Sequence, residues 1–272
     1  MTLEVNLKPV ERLVFRSDIV AFGTFRCSSD HPLYADSGPC THHTFVFPRS
    51  ATTIRHEAGP SFVATPNTVA FYNQHQRYTR SKISDIDASD WFVIADDVLI
   101  DAIAAHDPAV VDRPDRPFPL THIAVGADVY AAQRRLFDDA ATLDRLEIEE
   151  SVLRIFERLL LARAVDGRHR DAVEEVKRVI AAAPERALSI RELARIAECS
   201  PFELCRRFRS QTGFTLTQFR SSLRLRIALE RLRSRHDITD IALDLGYSSH
   251  SHFTFAFRRE FGVTPSRFRA RT

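Results

Sequence analysis

Residues 189–213 read SIRELARIAECSPFELCRRFRSQTG, and residues 237–262 read DITDIALDLGYSSHSHFTFAFRREFG. The first stretch opens with Ser189-Ile190-Arg191-Glu192, a capping box in which a hydroxyl satisfies an orphan N–H of the first helical turn and the glutamate reaches back to the cap. Ile190, Leu193, Ala194 and Ala197 follow at helical spacing, which predicts a short helix with one apolar face. A second box, Ser200-Pro201-Phe202-Glu203, opens the next helix with proline at its first position, where a missing N–H costs nothing. Only Glu198, Cys199 and Ser200 lie between the two. So short a turn holds the helices near perpendicular, the arrangement that presents the second one to a DNA major groove about 12 Å wide.

The unit is duplicated. Leu204, Phe208 and Gly213 are matched 49 residues later by Phe253, Phe257 and Gly262, and Ile190, Leu193 and Ala194 are matched after 48 by Ile238, Ile241 and Ala242. Between the copies, Thr215-Leu216-Thr217-Gln218 caps a long helix running to about Ser234, with Phe219, Leu223, Ile227 and Leu232 as its apolar positions. Two probes on a stiff spacer suit two adjacent major-groove segments, roughly 34 Å apart along one face of the duplex.

Charge points the same way. The chain of 272 residues carries a net charge of only +2, but up to Val165 it has 17 Lys+Arg against 23 Asp+Glu, and beyond it 21 against 13. Of those 21 cations 20 are arginine, whose planar fork matches phosphates and guanine edges. A basic half joined to an acidic half predicts a polyanion-binding module tethered to a second domain. Four scattered cysteines, Cys27, Cys40, Cys199 and Cys205, make neither a disulfide framework nor a CxxC pair. No apolar run approaches the roughly 20 residues that span a bilayer. The opening MTLEVNLKPVERLVF lacks a basic segment followed by an apolar stretch, so a cytoplasmic location with no membrane partner is expected.

These residues resemble a known family. Ser200-Pro201-x-x-Leu204-x-x-x-Phe208, Gly213, Arg224-Leu225-x-x-Ala228, Ile238-x-x-Ile241-Ala242, Gly246-Tyr247, Ser251-x-Phe253, Phe257-x-x-x-Phe261-Gly262 and Thr264-Pro265-x-x-Phe268-Arg269 together resemble the AraC/XylS family of transcription regulators, over roughly Val173 to Ala270. The resemblance implies that the first recognition helix presents Phe202, Cys205 and Arg206 to the groove, and the second His250, Ser251 and His252. Where the family commonly carries a basic residue on the second helix, this chain has Phe255. By side-chain chemistry Arg206 suits a bidentate guanine contact, while Arg207, Arg209, Arg258 and Arg259 suit phosphates. Phe202 and Phe255 either meet thymine methyl groups or pack against their own domain.

The N-terminal part reads differently. From Phe15 to about Ile94, segments such as Ile19 to Phe25, Thr44 to Phe47, Ser61 to Ala64 and Thr68 to Tyr72 are rich in β-branched and aromatic residues and are broken by Pro and Gly, as in a small β-sandwich or barrel. With its scattered histidines the run is similar to a cupin barrel. A Pro-rich bridge near Asp107 to Pro119 then leads to helices over about Ala127 to Leu143 and Glu147 to Ala164. In the latter, Ile148, Val152, Ile155, Phe156, Leu159 and Leu160 share one face, which either packs on the β-domain or joins two subunits in a homodimer. The expected organisation is thus a cupin-like domain with a helical hairpin over residues 1–165, a linker over 166–172, and an all-α double helix-turn-helix domain over 173–272.

A cupin metal site needs histidines one residue apart, but His42 and His43 are adjacent and point to opposite faces of a strand, as do His56 and Glu57. No catalytic residues, metal or cofactor are expected, although Cys40, His42 and His56 form one conceivable regulatory metal set. The segments Phe47-Pro48-Arg49, Arg55-His56 and Tyr72 to Arg80 mix aromatic, amide and basic residues. They either line a pocket for a polar or anionic effector, with Arg49, His56, Tyr78 and Arg80 as its walls, or form a solvent-facing hairpin. The leading reading is a site-specific regulator that binds double-stranded DNA, answers to a small-molecule effector and contacts RNA polymerase. Two others compete: a metal-dependent cupin-like enzyme with a DNA-binding tail, and an architectural DNA binder with no ligand.

Overall fold

The computed structural model describes residues 3–36, 38–57, 59–161, 170–233 and 236–270. The chain divides into two compact units, one of Met1–Ala64 and Thr68–Ala164, the other of Thr65–Asn67 and Val165–Thr272. The expected linker at 166–172 falls partly outside the described residues, and a helix is already under way at Arg170.

The first unit is rich in β-structure. Its strands are β1 (Glu11–Arg16), β2 (Val20–Ser28), β3 (Thr44–Pro48), β4 (Thr52–His56), β5 (Ser61–Ala64), β6 (Thr68–Tyr72), β7 (Tyr78–Lys82), β8 (Ile86–Ile94) and β9 (His122–Ala124). Among the described residues they form two sheets, in the orders β1-β2-β8-β3-β6-β9 and β5-β4-β7, with every pairing antiparallel. Their pairings do not close into one continuous barrel. β8 is the spine of the larger sheet, pairing with β2 from Val20↔Ile94 to Ser28↔Ile86.

Side-chain alternation along β8 sends two sets of residues to two places. Phe92 stacks on Phe22 and Phe45 at ring-centroid distances of 5.4 and 5.0 Å. On that side, helices α2 (Ala127–Asp139) and α3 (Arg145–Leu160) cover the sheet, with Phe137 4.9 Å from Phe22 and Phe156 5.2 Å from Phe45. The apolar stripe Ile148, Val152, Ile155, Phe156 and Leu159 is buried within this unit, which resolves its two readings in favour of intramolecular packing. α3 is opened by a capping box in which Asp144 accepts from Glu147 N and Glu147 accepts from Asp144 N. The other set on β8, Asp87, Ser89, Trp91 and Val93, lines a cavity shared with β4 and β7. Gly23 on β2 makes room for the indole: a Cβ there would collide with the Arg12 carbonyl and lie 2.5 Å from Trp91 Cζ2. Helix α1 (Asp96–Ala104), which sequence reasoning does not foresee, precedes the Pro-rich bridge, and a short 3-10 turn (Pro108–Asp112) lies within it.

The second unit is helical apart from its turns: α4 (Arg170–Ala182), α5 (Ile190–Ile196), α6 (Pro201–Thr212), α7 (Leu216–Arg231), α8 (Ile238–Asp244), α9 (His250–Phe261) and α10 (Pro265–Arg269). Its core takes the inward faces of all of these, including Val176, Ile180, Leu193, Phe208, Phe219, Leu223, Phe253 and Phe257. Both copies of the duplicated pattern become a helix, a tight turn and a second helix. Among the described residues no helix is long and apolar enough to cross a membrane.

Candidate nucleic-acid interface

The two helix pairs are built from the same parts. Ser189 Oγ accepts from Glu192 N at 3.3 Å, and the Glu192 carboxylate accepts from Ser189 N at 2.7 Å, so α5 starts where the sequence places it. Ser200 caps α6 by accepting from Glu203 N at 3.2 Å, and Ser249 caps α9 by accepting from His252 N at 3.1 Å. The turns also correspond. Cys199 N donates to Ala194 O at 3.1 Å in the first, and Tyr247 N donates to Ala242 O at 3.0 Å in the second. Each turn needs one left-handed residue, supplied by Glu198 at φ 49° and by Gly246 at φ 76°. At the far ends, Gly213 and Gly262 close α6 and α9 in the left-handed conformation, donating to Arg209 O and Arg258 O.

The inner faces hold these helices to the domain: Leu204, Phe208, Phe253 and Phe257 are all buried. Phe208 meets Phe219 of α7 edge-on at 5.3 Å, and Phe257 meets Phe268 of α10 at 6.0 Å. What remains faces outward. On α6 this is Phe202, Cys205, Arg206 and Arg209; on α9 it is His250, Ser251, His252, Phe255, Arg258 and Arg259. Phe202 is 78% exposed and Phe255 66%, unusual for rings that are each worth about 2 kcal/mol when buried. Arg207 is half-buried, at the edge of the same face. The 49-residue offset brings Phe255 to the position on α9 that Arg206 occupies on α6.

Electrostatics differ between the faces. On α6, Glu203 accepts from Arg206 Nε and Nη2 at 3.0 and 2.8 Å and from Arg207 Nε at 2.5 Å. Hydrogen bonds from these two guanidinium groups hold the pKa of the Glu203 carboxyl down at about 2. On α9 the Arg259 guanidinium lies 5.9 Å from the Phe255 ring, and Ser248 Oγ shares a 3.2 Å hydrogen bond with His252 Nδ1.

Helix α7 is the spacer. Its 16 residues give about 24 Å of rod, started by a capping box between Thr215 and Gln218. A side chain to which sequence reasoning gave no role ties the parts together. From α7, Arg224 donates through Nε to Pro184 O (2.5 Å), through Nη2 to Glu185 O (2.8 Å) and through Nη1 to Gly246 O (3.2 Å). One fork thus joins the end of α4, the spacer and the turn of the second helix pair. Arg269 does likewise for the C-terminus, reaching Leu232 O and His236 O at 3.2 and 2.7 Å. The family pattern contains both arginines; their carbonyl partners are distant in sequence, which is why spacing alone does not reveal them.

This face matches known proteins. A family model described as a helix-turn-helix domain matches residues 193–271. Over 88 residues the chain is 41% identical to the regulatory protein SoxS of Salmonella typhimurium, a match that spans 32% of this chain and 82% of SoxS. It is 33% identical over 87 residues to the HTH-type transcriptional regulator MtrA of Neisseria gonorrhoeae, and 39% identical over 74 residues to the HTH-type transcriptional activator RhaR of Escherichia coli K12. The chain belongs to the AraC/XylS family of transcription regulators. Its matches span only 29% of MtrA and 26% of RhaR, so the likeness to those two family members is to a part of each. Among solved structures, ToxT from Vibrio cholerae aligns over 93% of this AraC/XylS regulator and 98% of ToxT at 13% identity and a TM-score of 0.37. An AraC-type regulator from Chromobacterium violaceum aligns over 39% of this chain and 95% of its own at 28% identity and a TM-score of 0.36.

In the regulator's β-unit the four expected effector residues do not converge. Tyr78 and Arg80 line the cavity of about 80 Å³, joined by a 2.6 Å hydrogen bond from Arg80 Nη2 to the Tyr78 hydroxyl. Arg49 instead reaches Asp90 at 3.5 Å, in a cluster where Asp90 also accepts from Gln133 at 2.7 Å and Arg134 at 2.5 Å. Asp90 alternates with Trp91 on β8, so this cluster is on the helix-covered side of the sheet. His56 is buried among Phe62, Tyr72 and Tyr78, shares a 3.0 Å hydrogen bond with Gln76 Nε2, and is pushed down to about 4 by burial. His42 lines the cavity, whereas His43 is buried and accepts from Gln74 N at 3.1 Å, so the adjacent pair does diverge. Among the described residues no three His, Cys, Asp or Glu side chains come together as a metal site.

Proposed function

We propose that this regulator recognises a defined duplex element by setting α6 and α9 into successive major grooves, with its β-unit, cupin-like in kind, as the control domain. The observation that carries this reading is the duplicated build. Two capped helices, each pinned by buried Leu or Phe residues, turn aromatic and basic faces outward on a common spacer. Arg206 reads a guanine edge, exchanging its partner Glu203 for the base. Arg207, Arg209, Arg258 and Arg259 hold phosphates, and Phe202, Cys205, His250, Ser251 and His252 approach base edges. The protein works as a cytoplasmic homodimer that contacts RNA polymerase, carries out no reaction of its own, and changes its DNA affinity when a small molecule enters the β-unit. Since the apolar stripe of α3 is consumed internally, self-association through this helix uses its outer face, where Leu146 is exposed.

Selection of bound duplexes from a random pool with the full-length protein tests the proposal. A defined element of about two helical turns, with guanine at one invariant position, is expected. Recovery of sequences with no shared register would refute it and favour an architectural role.

A further inference from the structure

The cavity of the β-unit has a charge balance that its sequence conceals. Phe25, Val46, Tyr72, Tyr78 and Trp91 supply apolar and aromatic walls. Four charged side chains border it, the cations Lys8 and Arg80 and the anions Glu11 and Asp87, so the lining sums to zero. The two deep ones form a pair. Arg80 Nε lies 3.2 Å from Asp87 Oδ2, with the side chains only 7% and 5% exposed. The same guanidinium donates to Tyr34 O at 3.1 Å and lies over the Phe25 ring at 4.3 Å.

An anion entering this space would have to draw Arg80 away from Asp87 and leave a buried carboxylate uncompensated, which is the expensive way to break a buried pair. A cation would have to draw Asp87 from Arg80, with the same outcome. Lys8 and Glu11 at the border are opposite in sign and lie together, with Lys8 N donating to the Glu11 carboxylate at 2.9 Å, and the other polar groups carry no charge. Burial pushes the Cys40 thiol and the Tyr78 hydroxyl up to about 12, so neither ionises at neutral pH.

We propose that this cavity binds a small uncharged ring compound bearing a hydroxyl or carbonyl oxygen, and rejects carboxylates and ammonium ions of the same shape. The ring lies among the aromatic walls and its oxygen meets the hydroxyl-bearing part of the lining, Thr44, Thr52 and Ser89. The regulatory meaning of such binding rests on the effector-responsive reading given above; the selectivity itself does not.

Trp91 is the sole tryptophan of the chain, so its fluorescence reports occupancy directly. Full-length protein is titrated at neutral pH with cyclohexanol, cyclohexanecarboxylate and cyclohexylammonium, three ligands that differ in charge but share a ring. The expected result is a saturable change with cyclohexanol and binding weaker by about tenfold or more for both ions. Carboxylate binding as tight as the alcohol, or no saturation with the alcohol, would overturn the proposal. Asp87→Asn leaves Arg80 without its counter-charge and is expected to reverse the preference towards the carboxylate. Val46→Phe fills the space and is expected to abolish saturation. Should either variant fail to fold, the wild-type selectivity alone decides. DNA affinity measured with the same three compounds separates the two readings. Alcohol binding with no change in DNA affinity removes the effector role and leaves the cavity selectivity standing. A DNA response to the carboxylate alone does the reverse.

Discussion

Replacing Arg224 by methionine keeps most of the stem and removes the fork, which deletes three hydrogen bonds to backbone carbonyls at 2.5, 2.8 and 3.2 Å. Charge-assisted bonds of this kind contribute about 1.5 to 3 kcal/mol each when well buried. Arg224 is half-buried, and two of the three bonds are solvent-exposed, so about 1 kcal/mol apiece is the fairer figure. The sum, roughly 3 kcal/mol, should lower the melting midpoint of a helical unit of this size by about 10 °C or more. Two probes separate the units: Trp91 reports the β-unit, and far-ultraviolet circular dichroism is dominated by the helices of the second unit. The dichroism transition should fall while the fluorescence transition holds, and Arg224→Lys, with one donor group for three carbonyls, should recover only a part. A loss below about 0.5 kcal/mol, or equal shifts in both signals, would refute the role assigned to this arginine.

Four further outcomes follow from the geometry. His56 is neutral in the fold down to about 4, whereas the unfolded side chain protonates near 6.5; the unfolded state therefore binds the extra proton, and stability falls as pH drops from about 6.5 to 4, by up to about 1.4 kcal/mol per pH unit. His56→Phe should flatten that slope in Trp91-monitored unfolding, and an unchanged slope would exclude His56 as its source. Gly246→Ala should destabilise, because its φ is 76° and a Cβ would lie 2.5 Å from Glu185 O, whereas Glu198→Gly at the equivalent turn should gain about 1 kcal/mol; denaturation midpoints moving in the same direction would contradict this. Arg206→Ala should relax base preference at one position of the selected element, while Arg258→Ala should weaken all sequences alike and lower the salt slope by about 1. For Phe255→Ala, removal of thymine methyl groups by uracil substitution should no longer matter, and undiminished sensitivity to uracil would dismiss Phe255 as a methyl reader.

The second unit was legible because its signals are local. Ser189, Ser200 and Thr215 sit at the caps they announce, and Phe208 and Phe257 face inward as the repeat requires. The β-unit yielded less. Strands β2, β3, β5 and β6 carry β-branched and aromatic residues at the expected places, but β8 contains Asp87 and Asp90, a residue type depleted in strands, held there by Arg80 and Arg134 from across the fold. That pairing joins residues 44 apart for Asp90, beyond the reach of any periodicity. The same long-range chemistry undid the grouping of Arg49 and His56 with Tyr78 and Arg80: strand alternation assigns a face, but only the partner strand says what lies on it.

The mismatch between Arg206 and Phe255 has a consequence for the DNA. With Arg206 and Phe255 as the proposed reading tips, twin arms of unlike chemistry would not treat a target and its reverse as the same object, because flipping the site hands the guanidinium what the phenyl ring would meet. A protomer so equipped carries an arrow, and sitting on its target it points one way along the chromosome.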